Sequence, residues 1–204
     1  MDVPPGIWPA LIAGSVVAIG WIVNGRRNRR EARKLRREKL RDFHRAIYAE
    51  IGPNLINLGG DQALDENRWA MEQALVADNT FVPFVPREQN NRIFEALVND
   101  IHILPRTSID PIVNYYRQLA MITLLADDMR GDKFRTLSPE RRMAIYGDYI
   151  EMKKQAFYFG RDALLLIRAF SEGGADAAKA LEEKLETRLN IQVLGLSDPQ
   201  SGSV

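Results

Sequence analysis

The feature that most constrains this chain is a run of 23 residues, Val3 to Gly25, without a single charge. From Ile7 to Val23 the run is apolar except for Ser15. As a helix rising ~1.5 Å per residue it would reach about 34 Å, enough for a hydrocarbon core of ~30 Å. Trp8 and Trp21 stand near its two ends, where indole rings favour the headgroup interface. Pro4, Pro5 and Pro9 fall before or within the first turns, where proline is tolerated.

Two other readings fit this run less well. A signal peptide would carry basic residues before the apolar run and a small-residue cleavage site after it. Here Asp2 is the one charge before the run, and Asn24-Gly25 leads straight into Arg26-Arg27. A buried core helix would show a polar face, and this segment has none. The sequence therefore predicts that residues 1–25 form a short external tail and one retained transmembrane helix.

The overall charge of +1 conceals an asymmetry. Arg26 to Arg41 holds ten Lys/Arg against Glu31 and Glu38, so the rest of the chain is acidic on balance. Residues 26–42 read as a basic juxtamembrane helix, with Gly25 as a place where the junction could bend. Arg26, Arg27, Arg29, Arg30, Arg33 and Lys34 set topology, placing the N-terminus outside and the following domain in the cytoplasm, as in a bacterial inner membrane. They also hold the helix end against anionic lipid headgroups, at about 1 kcal/mol per residue near the surface. Nucleic acid is the less favoured partner, because the strip contains no aromatic residue before Phe43 on which a base could stack.

Beyond the strip the periodicity is helical. Phe43, Ile47, Ile51 and Leu55 recur every four residues, on one helical face. Gly52-Pro53 should interrupt or kink this helix, and Gly59-Gly60-Asp61 should end it. A second helix spans 62–77, with Leu64, Trp69, Leu75 and several alanines in a broken apolar stripe. Phe81-Val82-Pro83-Phe84-Val85-Pro86 reads as an extended linker, since its two prolines forbid a helix. It either lies across the helices or presents Phe81, Val82, Phe84 and Val85 to a partner.

Arg87 to Leu104 forms the next helix, with Ile93, Leu97, Ile101 and Leu104 inward and Pro105 as its stop. Ser108 or Asp110 caps the helix that follows, with Pro111 in its first turn. Its core stripe is Ile112, Tyr116, Leu119 and Thr123, widened by Val113, Ala120 and Leu124. Ser138-Pro139-Glu140 starts a long helix with Tyr149, Met152, Ala156, Phe159, Ala163 and Phe170 on its face. Gly173-Gly174 ends it. A last amphipathic helix carries Ala178, Leu181, Leu185 and Leu189. Residues 197–204 read as a disordered tail. The fold class is thus all-α: one transmembrane helix, then an antiparallel, bundle-like helical domain over 43–196.

Little in this sequence points to catalysis. The chain has no cysteine and only two histidines, His44 and His102. Neither histidine sits in a Glu-x-x-His or His-Glu-x-x-His pattern. There is no phosphate-binding glycine loop and no Gly-x-Ser-x-Gly elbow. No cofactor is expected. Asp127-Asp128 and Glu182-Glu183 are sequence neighbours that point to different sides of a helix. Glu50, flanked by Ile47 and Ile51, is the carboxylate best placed to be half-buried, most simply as a boundary residue paired to a cation. Tyr115, Tyr116, Tyr146, Tyr149 and Tyr158 are expected to pack with their hydroxyls on polar partners. These observations imply a membrane-anchored interaction or scaffold protein that binds a protein partner or itself. The docking surfaces would be the linker and the last helix, through Leu181 and Leu185. An enzyme built from dispersed carboxylates and tyrosines, and a nucleic-acid binder using the arginine strip, are the alternatives.

Overall fold

The structure is a computed structural model that describes residues 7–86 and 91–194; the side chains of 7–20, Val23 and 188–194 lie outside the description. Among the described residues every element is helical. They are α1 (Ile7–Leu58), α2 (Gly60–Ala77), α3 (Arg92–Leu97), a 3-10 helix (Val98–Ile103), α4 (Arg106–Arg130), α5 (Asp132–Arg135) and α6 (Pro139–Leu194). The chain divides into two compact units, Met1–Asp42 and Phe43–Val204.

In the first unit α1 runs without interruption through Gly25, so the bend considered there does not occur. All ten cations of the strip are exposed, as is Leu35. No core holds this stretch. Arg27 pairs with Glu31 at 3.1 Å and Lys34 with Glu38 at 3.8 Å, both one turn apart. Such pairs support a helix by a few tenths of a kcal/mol each. Among the described residues no helix is long and apolar enough to cross a membrane. Trp8 and most of the apolar run have side chains outside that description; Trp21 and Ile22, at its end, are exposed.

In the second unit α1 continues as a core helix. Phe43, Ile47, Ile51 and Leu55 are buried, as the four-residue spacing predicts, and Leu58 is buried with them. Pro53 does not break the helix. It sits on the exposed side, as does Ala49, whose carbonyl loses its amide partner and is left open to water. Buried residues on either side, Ile51 and Leu55, hold the helix in register. Only Gly59, in a left-handed conformation with φ 76°, separates α1 from α2.

α4 packs chiefly along α6, and α2 packs on α6 as well. Gly160 makes the close approach feasible. A Cβ built there would come within 2.8 Å of Leu55 and 2.9 Å of Tyr115. Of the predicted face of α6, Tyr149, Ala156 and Ala163 are buried and Met152, Phe159 and Phe170 half-buried, while Ile150, Leu166 and Ile167 join the core from beside it. At Gly174 the backbone turns to φ 74°, ψ −161°, a region open to glycine and costly for other residues. The helix is thereby split into segments 139–173 and 175–194.

Four expectations need correction. In α2 the buried face is Leu64, Met71 and Leu75, while Trp69 is exposed. Between Leu64 and Met71 stands Arg68, which is exposed and reaches Glu151 of α6 at 3.5 Å along the surface. The helix predicted over 87–104 is a short α-helix followed by a 3-10 turn, with residues 87–90 outside the description. Its apolar residues are only partly covered: Ile93 is exposed, Leu97 and Ile101 half-buried, and Leu104 alone buried. Helices this short draw their stability from packing, and a weakly packed segment holds only about two turns of each kind.

α4 starts at Arg106, with Pro105 rather than Ser108 or Asp110 before it, and Pro111 lies inside it. Its buried stripe is Ser108, Ile112, Tyr115, Ile122, Ala126 and Met129, with Tyr116 at its edge. Val113, Ala120, Thr123 and Leu124 are exposed. The true stripe alternates steps of four and three. Stepping from Leu119 to Thr123 drifts off it, because 3.6 residues complete a turn.

Candidate functional site

Glu50 occupies the edge of α1 that faces α3 and α4. Its Oε1 accepts the N–H of Ile93 at 2.6 Å, and its Oε2 accepts the N–H of Phe94 at 3.0 Å. The hydroxyl of Tyr116 donates to Oε2 at 2.5 Å. These amides are among the first of α3 and lack partners inside the helix. The preceding residue, Asn91, makes no side-chain cap. Glu50 therefore caps α3 from another helix, and its charge meets the positive end of that helix dipole. Phe94 stacks on Tyr116 with ring centroids 3.9 Å apart and planes at 8°. Burial, reinforced by the Glu50 carboxylate, raises the Tyr116 phenol well above its ordinary value. The pair meets across two helices, yet both carboxylate oxygens are committed to the fold.

His44 is buried against α4 and α6. Its Nε2 lies 3.1 Å from Ser108 Oγ, and its ring meets the edge of Phe170 at 5.3 Å. Ser108 Oγ donates to the carbonyl of Pro105, so the imidazole is the donor to Ser108. Burial pushes the His44 pKa down to about 4, so it is neutral at pH 7. Ser108 is fully buried, and no substrate could reach this pair. His102 is exposed. Among the described residues no group of three or more His, Asp or Glu is placed to hold a metal ion.

The linker after α2 is held by two arginines that sequence reading passed over. The buried guanidinium of Arg142 donates to the carbonyls of Asn79 and Phe81. That of Arg130 donates to Val85 O at 2.8 Å and to Pro86 O, and it pairs with Asp127. Asp78 closes the start of the segment by accepting the amide and hydroxyl of Thr80. Residues 78–86 thus form a strap tied at both ends. Val85 is buried beneath it and Val82 half-buried, while Phe81 is partly exposed and Phe84 is 91% exposed. Of the four predicted docking residues, Phe81 and Phe84 reach solvent and Val85 does not. A periodic signal for Arg142 was present. It stands seven residues before Tyr149, and so shares the buried face of α6 with Tyr149, Ala156 and Ala163.

The remaining candidates scatter. Tyr115 and Tyr149 are core residues. Tyr158 donates to Asp61, beside a polar seam in which Lys154 joins Asp65 and Glu151. Leu181 and Leu185 are half-buried, and Leu189 lies outside the described side chains. Asp127 and Asp128 are both exposed, and Glu182 and Glu183 are sequence neighbours of which Glu182 is half-buried. Compared with protein-family models, curated proteins and solved structures, the chain matches none.

Proposed function

We propose that this chain is a membrane-anchored helical interaction protein that displays Phe84 to a protein partner. The observation that carries the reading is the strap. Its backbone is fixed at each end by one arginine donating to two carbonyls, yet the ring of Phe84 between them stands almost wholly in solvent. An exposed aromatic on an already ordered segment loses little conformational entropy on binding, and aromatic anchors dominate protein interfaces. Glu50, Tyr116, His44 and Ser108, the groups best suited to chemistry, have their polar atoms turned into the fold.

In this reading the uncharged run Val3 to Gly25 is the anchor, with Trp8 and Trp21 at the interfaces. Arg26, Arg27, Arg29, Arg30, Arg33 and Lys34 stand at its inner end against anionic headgroups. Support comes from the sequence and from the exposure of every cation on an unbroken helix. The test has two arms. The full chain should stay with membranes through alkaline carbonate washing. A mild-detergent pull-down with the wild type should then recover a partner that Phe84→Asp loses, with the two chains equally folded. An unchanged set of partners with Phe84→Asp would overturn the docking assignment, and release into the wash would overturn the anchor.

A further inference from the structure

The outer face of α4 carries apolar residues that the domain does not cover. Val113, Met121 and Leu124 are 38%, 49% and 61% exposed, although the sequence alone places Val113 and Leu124 in a core stripe. Along this face run Arg117, Met121, Leu124 and Asp128, all exposed. Their spacing is four, three and four, which keeps them within an arc of about 60° at ~100° per residue. Neither Arg117 nor Asp128 makes an ion pair or side-chain hydrogen bond with the described residues.

The order of this stripe is cation, apolar, apolar, anion. Laid antiparallel against a copy of itself, it sets Arg117 opposite Asp128 of the second copy and Met121 opposite Leu124, with both contacts repeated by the two-fold axis. The reverse, parallel pairing would set Arg117 against Arg117 and Asp128 against Asp128. We propose that this face of α4 is a homodimer contact between two copies of the chain, related by a two-fold axis passing between Met121 and Leu124. An isologous contact of this kind closes on itself and does not propagate.

One helix face is smaller than the ~20–30 residues a side of a standard stable interface. The contact is therefore weak between free molecules, and gains from confinement of copies to a common membrane, which raises their effective concentration. To that extent its strength, not its geometry, rests on the anchored reading.

The chain has no cysteine, which makes directed cross-linking clean. Two forms of the full chain, Met121→Cys and Leu124→Cys, are co-expressed and their membranes mildly oxidised. A disulfide-linked mixed dimer is expected, well above the level given by Ile56→Cys, an exposed residue on another helix. In that background Arg117→Asp alone, or Asp128→Arg alone, should cut the cross-linked fraction about five- to tenfold, since like charges then face each other. The double exchange, Arg117→Asp with Asp128→Arg, should restore it, a recovery that a merely unfolded domain would not show. A mixed pair no better than the Ile56→Cys control, or single exchanges without effect, or a double exchange that fails to restore, would overturn the proposal. Carbonate washing of the same membranes separates the two readings. A chain that stays bound but does not cross-link sinks the dimer alone. A chain that cross-links but washes off sinks the anchor alone, and one that does neither sinks both.

Discussion

Residues 26–42 and 43–58 belong to one helix, α1, yet they are helical for different reasons. In the first stretch every cation is exposed, and helicity rests on residue propensity and on the Arg27–Glu31 and Lys34–Glu38 pairs. In the second, Phe43, His44, Ile47, Ile51 and Leu55 are buried, and packing fixes the helix. Arginine shows the same divide. In the strip it is a solvated charge. At Arg130 and Arg142 it is a five-donor fork whose partners are backbone carbonyls. Side-chain identity is constant across the comparison, so the difference lies in what surrounds it.

The sharpest way to break this comparison is to truncate a residue in each half. Ile47→Ala removes a fully buried side chain and should destabilise the domain by about 2–5 kcal/mol through lost burial and a cavity. Thermal melting of the full chain in detergent, followed by aromatic circular dichroism, reads this directly. A melting point within a degree of wild type would show that the second half of α1 is no more dependent on packing than the first.

The cap offers the next largest effect. Glu50→Ala leaves the amides of Ile93 and Phe94 and the hydroxyl of Tyr116 without their acceptor, at a cost of about 1–3 kcal/mol. Hydrogen exchange should quicken first at Ile93 and Phe94. If protection there is unchanged, α3 is held by something other than the carboxylate.

Acid should weaken the packed half through His44. His44 has its folded pKa lowered to about 4, so between that value and ~6.5 the unfolded chain binds the proton more readily. Stability is therefore present above about pH 6.5 and falls as pH drops toward 4, by at most about 3 kcal/mol. His44→Gln should flatten the dependence of the melting point on pH over that window, and an equal slope in wild type and variant would place the sensitive group elsewhere.

The smallest effect belongs to the strip. Leu35→Ala and Arg33→Gln change exposed side chains and should change the stability of the domain, read from its melting curve, by less than about 0.5 kcal/mol. A larger shift would mean that the strip is packed against something in the folded protein.

Much of the fold was legible in the sequence because it follows from local periodicity. The face Phe43, Ile47, Ile51 and Leu55, the start of α6 at Pro139, the proline-rich strap and the break at Gly174 all appear where the pattern puts them. Glu50 stood out for its place between Ile47 and Ile51, but its role did not. The expected partner was a cation, and the actual partners are two amides and a phenol from elements 43 to 66 residues away.

What the sequence determined by itself was the helical class, the segregation of charge and the uncharged run, because each is a property of neighbours along the chain. What only the tertiary structure decided was which apolar face of α4 is buried, where the weakly packed segment after residue 91 passes from α-helix to 3-10 helix, and which arginines bind backbone. α4 has apolar residues on more than one side, and local pattern cannot choose between them. The choice falls to the surface it meets: α6 lies close along one side, with Gly160 allowing the approach, and Met121 and Leu124 are left on the other. The hydrophobic effect rewards burial without direction, so the side that finds a partner is set by the packing of distant segments and not by the residues themselves.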